Sequence, residues 1–191
     1  MKYFYDLEFL EDGNTIDLIS IGIVAEDDRE YYAVNADADW DSVVTHEWLT
    51  ENVWPYLPLR RRPRFGNIEE SIDYSHKDVK LHHDIATEVQ EFLRPNPEDY
   101  RHTELWAWCG AYDHVGMYQL WGPMADVHGT GLPFYTNDLK SIHDLFLTDK
   151  QREKLRFLPF DGNAHNALDD ARQLKQRYDY VFSIVDRLEF P

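Results

Sequence analysis

Residues 3–9 read Tyr3-Phe4-Tyr5-Asp6-Leu7-Glu8-Phe9, a largely apolar strand pattern that carries two acids. Alternate residues of a strand point to opposite faces, so Asp6 and Glu8 share one face with Phe4. Buried carboxylates are costly unless they are paired or bind a metal ion. With a third acid supplied from elsewhere in the chain, this pair predicts a site for magnesium or manganese, which prefer oxygen ligands.

Two more strand-like runs follow this first segment. They cover residues 16–25 and 30–35, and turn-like residues at 11–14 and 26–28 separate the three runs. Such short links favour an antiparallel meander over strands joined by helical crossovers.

The rest of the chain is predicted to be mainly helical. Helices are expected at residues 45–53, 82–93, 113–120, 138–146, 148–155 and 166–188, strands at 105–112 and 133–135, and loops at 60–64 and 158–164. Strands first and helices later predict one α/β domain over residues 1–191, with a mixed five- to six-stranded sheet flanked by helices.

Composition limits the classes of function. The net charge is −17, from 36 acidic and 19 basic residues, which argues against a protein that grips a long duplex through a basic face. An enzyme that holds a few nucleotides at a strand end remains compatible, because bound metal ions supply local positive charge. The single cysteine, Cys109, excludes an internal disulfide and fits a cytoplasmic location. We expect neither a secretory signal nor a membrane segment.

Three motifs together resemble the DEDD superfamily of 3′–5′ exonucleases. The first motif of that superfamily, Asp-x-Glu, matches Asp6 and Glu8. The second, an Asp where a strand leads into a helix, matches Asp113. The third, His-x4-Asp in the histidine-containing branch (DEDDh), matches His165 and Asp170. The order and the spacing of the motifs agree over nearly the whole chain.

A closer resemblance is to the ribonuclease AS family of polyadenylate-specific exoribonucleases, which are related to ribonuclease T. It is carried by residues 4–9, 19–27, 29–34 and 106–115. The resemblance implies a ribonuclease H-like fold, two magnesium ions, release of AMP from the 3′ end of single-stranded RNA, and a homodimer. The chain departs from many superfamily members at Phe9 and Cys109, two positions that lie near the substrate in relatives.

The third motif imposes a condition on local structure. In a regular helix, His165 and Asp170 would point about 140° apart, and Asp169 would be the better neighbour of His165. Asp170 fits only if His165 lies on a loop before the helix, with Asn166 as its N-cap. We assign Asp170 to the site and keep Asp169 as the alternative.

The motif residues suggest a division of roles. Our hypothesis is that Asp6, Glu8 and Asp170 hold one metal ion. Asp6 would bridge to a second ion about 3.5–4 Å away, which Asp113 would reach directly or through water. His165 would remove the proton from the attacking water.

Residues beside the acids are candidates for substrate contacts: Phe9, Leu10, Trp108 and Tyr112. Aromatic rings stack on RNA bases, and Leu10 could wedge against the terminal base. For Trp108, core packing is the competing interpretation. The only dense basic run contains Arg61 and Arg62, which could bind incoming phosphates, within one chain or across a dimer, or could form a solvated loop.

Three functions stay open at this stage. The first is a ribonuclease that acts on 3′-terminal adenylates, and the second is an exonuclease for DNA or short oligonucleotides that uses the same site. The third is a non-catalytic nucleotide-binding module. A complete set of four acids and one histidine argues against the third, because a module without catalysis does not need all five.

Overall fold

The computed structural model describes residues 1–65, 67–94 and 103–187. The strands are β1 (Lys2–Glu11), β2 (Ile16–Ala25), β3 (Glu30–Asn35), β4 (Leu59–Arg64), β5 (Asn67–Ile72), β6 (Val79–Lys80), β7 (Glu104–Ala107) and β8 (Asn137–Asp138). The α-helices are α1 (Trp40–Val43), α2 (Glu47–Asn52), α3 (His82–Leu93), α4 (Ala111–Tyr118), α5 (Met124–Val127), α6 (Leu139–Phe146), α7 (Asp149–Arg156) and α8 (Ala167–Val185).

Six of the described strands form one mixed sheet in the order β6-β3-β2-β1-β7-β8. Strands β1, β2 and β3 are antiparallel, with Asp6 opposite Gly22 and Ile21 opposite Ala33. Strand β7 runs parallel to β1, β8 runs parallel to β7, and β6 runs parallel to β3. The predicted meander is confirmed, and so is the mixed five- to six-stranded sheet flanked by helices.

The two faces of β1 pack against different helices. Tyr5 and Leu7 are buried in a core cluster with residues of α3 and α4. Phe4 points to the opposite face and is buried with Leu174 of α8. Each buried large apolar side chain contributes about 1.5–3 kcal/mol, so this packing anchors the strand on both faces. The acids of β1 follow Phe4 on the face that α8 covers.

The first residue of helix α8, Ala167, lies in direct contact with β2 at Gly22. A Cβ atom at Gly22 would lie 2.3 Å from the backbone carbonyl carbon of Ala167, so only glycine permits this approach. Because Gly22 is opposite Asp6 in the sheet, the first turn of α8 lies beside the acids of β1.

A β-bulge lies at the second acid of β1. Glu8 is opposite Ser20, but Phe9 is opposite Leu18, so Ile19 is an extra residue in β2. A bulge bends its strand and increases the local twist, and bulges are common next to active sites.

Residues 60–64 were expected to form a loop, and this prediction is wrong. They belong to β4, which pairs antiparallel with β5 in a separate two-stranded sheet. The run was misread because four arginines and Pro63 hide any alternation of apolar residues. We call β4 and β5 together the arginine hairpin.

The later strands also differ from prediction. The buried strand was expected over residues 105–112, but β7 ends at Ala107. Cys109 has φ +56°, which lies outside the strand region and turns the chain towards α4. Residues 133–135 are not a strand, and the short strand β8 begins two residues later, at Asn137.

The six predicted helices are confirmed, five of them with shifted ends, and α1 and α5 are additions. Helix α2 is shorter than the predicted 45–53 because His46 caps it by accepting a hydrogen bond from Leu49 N. Helix α8 ends at Val185, and Leu188, the last residue of the predicted helix, lies outside the described residues. Among the described helices, none has the length and apolar character needed to cross a membrane.

Candidate active site

The two acids of β1 lie beside a third carboxylate, which comes from α4. Glu8 is 7% exposed and Asp113 is 9% exposed. The backbone N–H of Leu7, between Asp6 and Glu8, donates to Asp113 Oδ1 at 3.0 Å. This bond ties the first turn of α4 to the strand and brings the three acids together.

The segment before α8 supplies a histidine and a fourth carboxylate. As predicted, His165 lies on a loop, with φ +66°, and the side chain of Asn166 caps α8 by accepting from Asp169 N at 3.2 Å. The backbone N–H of His165 donates to Asp170 Oδ2 at 2.7 Å. This short hydrogen bond links the loop to the helix at the third motif.

Asp169 and Asp170 point to different surroundings. Asp169 accepts a hydrogen bond from Asn163 N at 2.9 Å and pairs with Arg172 at 2.6 Å. Asp170 faces the acids of β1 instead. One ligand atom each from Glu8, His165 and Asp170 lies within 4.8 Å of the other two, a spacing that could hold a metal ion.

The five motif residues line one open cavity of about 540 Å³. We call it the acid cavity. Three of the predicted substrate contacts also line it: Phe9, Trp108 and Tyr112. Cys109, noted above as a departure from the superfamily, lines it as well, and lining residues that sequence reasoning missed include Trp48, Gln173 and Arg177.

Burial and mutual repulsion disturb the acids of this cavity. Burial first, and then the charges of Asp113, Glu8 and Asp170, raise the pKa of Asp6 well above its ordinary value. Burial, followed by the charges of Asp170 and Asp113, raises the pKa of Glu8 to about 8. Burial raises the pKa of Asp113 to about 6, and it also raises the pKa of Asp170. Such a cluster is stabilised by a bound cation.

Aromatic rings form much of the remaining wall. The rings of Phe9 and Tyr112 are nearly parallel, at 8°, with centroids 6.0 Å apart, and Tyr112 is 55% exposed. The ring of Trp108 lies 4.8 Å from Arg177 Cζ and edge-on to His143 at 5.4 Å. Trp108 therefore borders both the core and the cavity, which combines the two interpretations left open for it.

The residues that were not predicted differ in whether a sequence pattern indicates their position. Gln173 and Arg177 follow Asp170 by three and seven residues, so helical spacing alone places them on its face of α8. Trp48, within the predicted helix 45–53, is 47% exposed, and its ring lies edge-on to His165, with centroids 4.8 Å apart. No sequence pattern indicates that contact.

The remaining predicted contacts lie away from the acid cavity. Leu10 packs with Ile19 in another core cluster and lines a separate cavity of about 570 Å³. Arg61 pairs with Glu70 at 2.8 Å on the arginine hairpin. Arg62 is exposed on the same strand. The structure therefore does not bring these three residues to the acids.

Comparison with known proteins identifies the family. Residues 1–182 match the model of the 3′–5′ exoribonuclease Rv2179c-like domain. The chain belongs to this family. Two Mycobacterium tuberculosis proteins, 3′–5′ exoribonuclease Rv2179c of strain H37Rv and 3′–5′ exoribonuclease MT2234.1 of strain CDC 1551, are each 40% identical over 186 residues. These matches cover 97% of this chain and 96% of each relative. The predicted enzyme class, a 3′–5′ exoribonuclease, is confirmed.

The fold of this Rv2179c-like domain also resembles a solved structure. It aligns with S. pombe Pop2p in its Mg²⁺- and Mn²⁺-bound form at a TM-score of 0.56, over 95% of this chain and 82% of that one. The sequences are 14% identical, so the comparison bears on the fold alone. The predicted ribonuclease H-like fold is confirmed.

Proposed function

We propose that this Rv2179c-like domain removes nucleotides from the 3′ end of single-stranded RNA by metal-dependent hydrolysis of the terminal phosphodiester. The observation that carries the proposal is the convergence of four carboxylates, from β1, α4 and α8, on one cavity beside His165. Family membership supports the same reaction, and the buried acids supply the reason for a metal requirement.

The cation ligands would be Asp6, Glu8, Asp113 and Asp170. They fit the group, because carboxylate oxygens are the preferred ligands of magnesium. Within the described residues, neither Asp6 nor Glu8 has an ion pair with a basic side chain, so their charge calls for a cation from outside the protein. We propose two Mg²⁺ ions, with Mn²⁺ as an alternative. Such ions, when bound, neutralise the phosphate and make the attacking water more acidic.

His165 is proposed as the general base. Its backbone is fixed by the hydrogen bond to Asp170, and the ring of Trp48 restricts the movement of its imidazole from one side. Its side chain lies within reach of Glu8 and Asp170, where the attacking water would be held. The imidazole would accept the proton of that water as it attacks the phosphorus.

The walls of the acid cavity suit a terminal nucleotide. We propose that Phe9, Tyr112 and Trp108 contact the base or the ribose at the 3′ end. The preference for A-rich tails and the release of AMP rest on the resemblance to the ribonuclease AS family and its DEDDh motif.

The residues outside the cavity would act on longer RNA. We retain Leu10, Arg61 and Arg62 as contacts for the strand upstream of the terminal nucleotide, or for RNA bound across a homodimer. A cytoplasmic location is proposed from the single free cysteine, Cys109.

A degradation assay with magnesium tests the proposal. A-tailed RNA, U-tailed RNA and A-tailed DNA of equal length are compared, with His165→Ala as the inactive control. We expect rapid release of AMP from A-tailed RNA alone, and its loss in the variant.

Other results would change the proposal in defined ways. Equal cleavage of all three substrates would keep the exonuclease reaction and remove the preference for polyadenylate. Failure to cleave any of them would remove the catalytic proposal and favour a nucleotide-binding module.

A further inference from the structure

One basic side chain in the acid cavity is unaccounted for by the proposed reaction. Arg177 lies on α8, seven residues after Asp170, and therefore on nearly the same side of the helix. It is half-buried and lines the acid cavity. Across residues 1–65, 67–94 and 103–187, no carboxylate lies within ion-pair distance of it, and burial lowers its pKa.

Another arginine of the same helix shows what a structural ion pair looks like in this protein. Arg172 makes two hydrogen bonds to Glu30, at 2.7 and 2.6 Å, and pairs with Asp169 at 2.6 Å. The charge of Arg172 is therefore neutralised by carboxylates of the protein itself. Arg177 keeps an equally long side chain beside the acids without such bonds, which leaves its N–H donors available.

The ring of Trp108 contacts this guanidinium group. Arg177 Cζ lies 4.8 Å from the centroid of the Trp108 ring, within the range of a cation–π interaction. A cation–π contact holds the charged group against the ring without an ion pair, so its N–H groups stay available. Those groups form a rigid fork that matches two oxygens of a phosphate.

The charge balance of the cavity points to an anion as the partner. Asp170 and Asp6 attract Arg177 through space. Divalent cations on the carboxylates would remove that attraction, because they neutralise the acids. The guanidinium group of Arg177 could then bind another anion, and the phosphate of a bound nucleotide is an anion that suits it.

We propose that Arg177 is a substrate-binding residue that donates hydrogen bonds to a phosphate of the 3′-terminal nucleotide, with Trp108 as its positioning residue. This inference rests on the proposed function, since it assumes that the terminal nucleotide occupies the acid cavity. The competing role for Arg177 is that of a counter-ion, which only reduces repulsion among the acids.

Calorimetric titration of AMP and of adenosine separates the two roles without any turnover. The protein is saturated with Mn²⁺, and the wild type is compared with Arg177→Gln and Arg177→Lys. We expect the affinity of Arg177→Gln for AMP to be lower than that of the wild type by a factor of about 10 or more. Its affinity for adenosine should change by less than about 2-fold. Arg177→Lys should recover only part of the loss, because lysine lacks the planar fork.

Arg156→Gln is the matched control, since it removes the same charge from an exposed position of α7 that does not line the acid cavity. It should leave both affinities unchanged. An unchanged AMP affinity in Arg177→Gln, together with tighter binding of Mn²⁺ alone, would establish the counter-ion role and overturn the proposal. Equal binding of AMP and adenosine to the wild type would also overturn it.

The assay of RNA degradation keeps this test separate from the proposed function. A wild type that does not degrade RNA, but binds AMP more tightly than adenosine through Arg177, would overturn the exonuclease reaction and support the phosphate site. If the wild type degrades RNA and Arg177→Gln binds AMP as tightly as the wild type does, the exonuclease reaction would be supported and the phosphate site would be overturned.

Discussion

The acid cavity and the arginine hairpin both contain several charged side chains, but the charges are paired on the hairpin and unpaired in the cavity. On the hairpin, Arg61 pairs with Glu70 and Arg64 pairs with Glu69, each at 2.8 Å and in contact with solvent. In the cavity, carboxylates that repel one another are buried without such partners. Exposed ion pairs contribute about 0–1 kcal/mol, whereas buried unpaired charges are costly to maintain. Buried unpaired charges are therefore typical of functional sites, where they act on a ligand.

The largest expected effect comes from neutralising one cavity acid. Asp6→Asn should lower kcat/KM on RNA about 1,000-fold or more, because a lost metal ligand removes several kcal/mol of transition-state stabilisation. The variant should unfold at the same temperature as the wild type, or higher, in the presence of EDTA, because it relieves repulsion among buried acids. Initial rates with magnesium and thermal melts without it provide the measurements.

The hairpin offers the matched control for this substitution. Glu70→Gln makes the same kind of change from a carboxylate to an amide, but at an exposed ion pair. Its activity should stay within about 2-fold of the wild type. Comparable losses in both variants would remove the functional distinction between the two regions.

The second prediction concerns the contact that places α8 over the acids. Gly22→Ala should destabilise the fold by about 3 kcal/mol and lower the melting temperature by roughly 6–12 °C, since the new Cβ would overlap the Ala167 backbone. Activity should fall as well, because the displaced helix carries Asp170. Gly129→Ala is the control, because its Cβ would meet no atom within 4 Å. Equal melting temperatures for the two variants would contradict the close approach of α8 to β2.

The third prediction is a pH dependence confined to the cavity. The folded state raises the pKa of Glu8 from 4.5 to about 8, so it holds the proton more tightly than the unfolded chain does. This contribution to stability is complete below pH 4.5 and is lost as the pH rises towards 8. Without metal, the melting temperature should therefore fall between pH 5 and 8, by about 4 °C or more.

Substitution distinguishes this titration from the general effect of a negative protein. Glu8→Gln should reduce the fall, while Glu70→Gln on the hairpin should leave it unchanged. Magnesium should also reduce the fall in the wild type, because it stabilises the ionised acids. An equal slope in all of these melts would assign the pH dependence to net charge instead of to the cavity.

The two regions also differ in how far the sequence predicts them. The meander and the acids of β1 follow from alternation of apolar residues, and the loop position of His165 follows from the spacing of its motif. The hairpin was missed because its strands are largely exposed and charged, so no alternation marks them. Trp48 reaches the cavity only through tertiary packing, whereas the spacing of Arg177 from Asp170 on α8 is a signal that the sequence contains.

The smallest expected effect tests whether the hairpin arginines do more than pair with acids. Arg61→Gln and Glu70→Gln each remove one member of the same exposed ion pair, so each should change the melting temperature by less than about 4 °C. If Arg61 contacts RNA, Arg61→Gln should weaken binding of a long RNA several-fold at low salt. It should also reduce the slope of log affinity against log salt concentration by about 0.7.

Comparison of the two variants decides the role of the hairpin. Glu70→Gln should bind long RNA as tightly as the wild type or more tightly, because it frees Arg61 for a phosphate. A dinucleotide should be cleaved at the same rate by both variants, because only the acid cavity is proposed to act on it. If Arg61→Gln and Glu70→Gln bind RNA equally well at every salt concentration, the arginine run is a solvated surface, and the paired charges of the hairpin play no part in recognition.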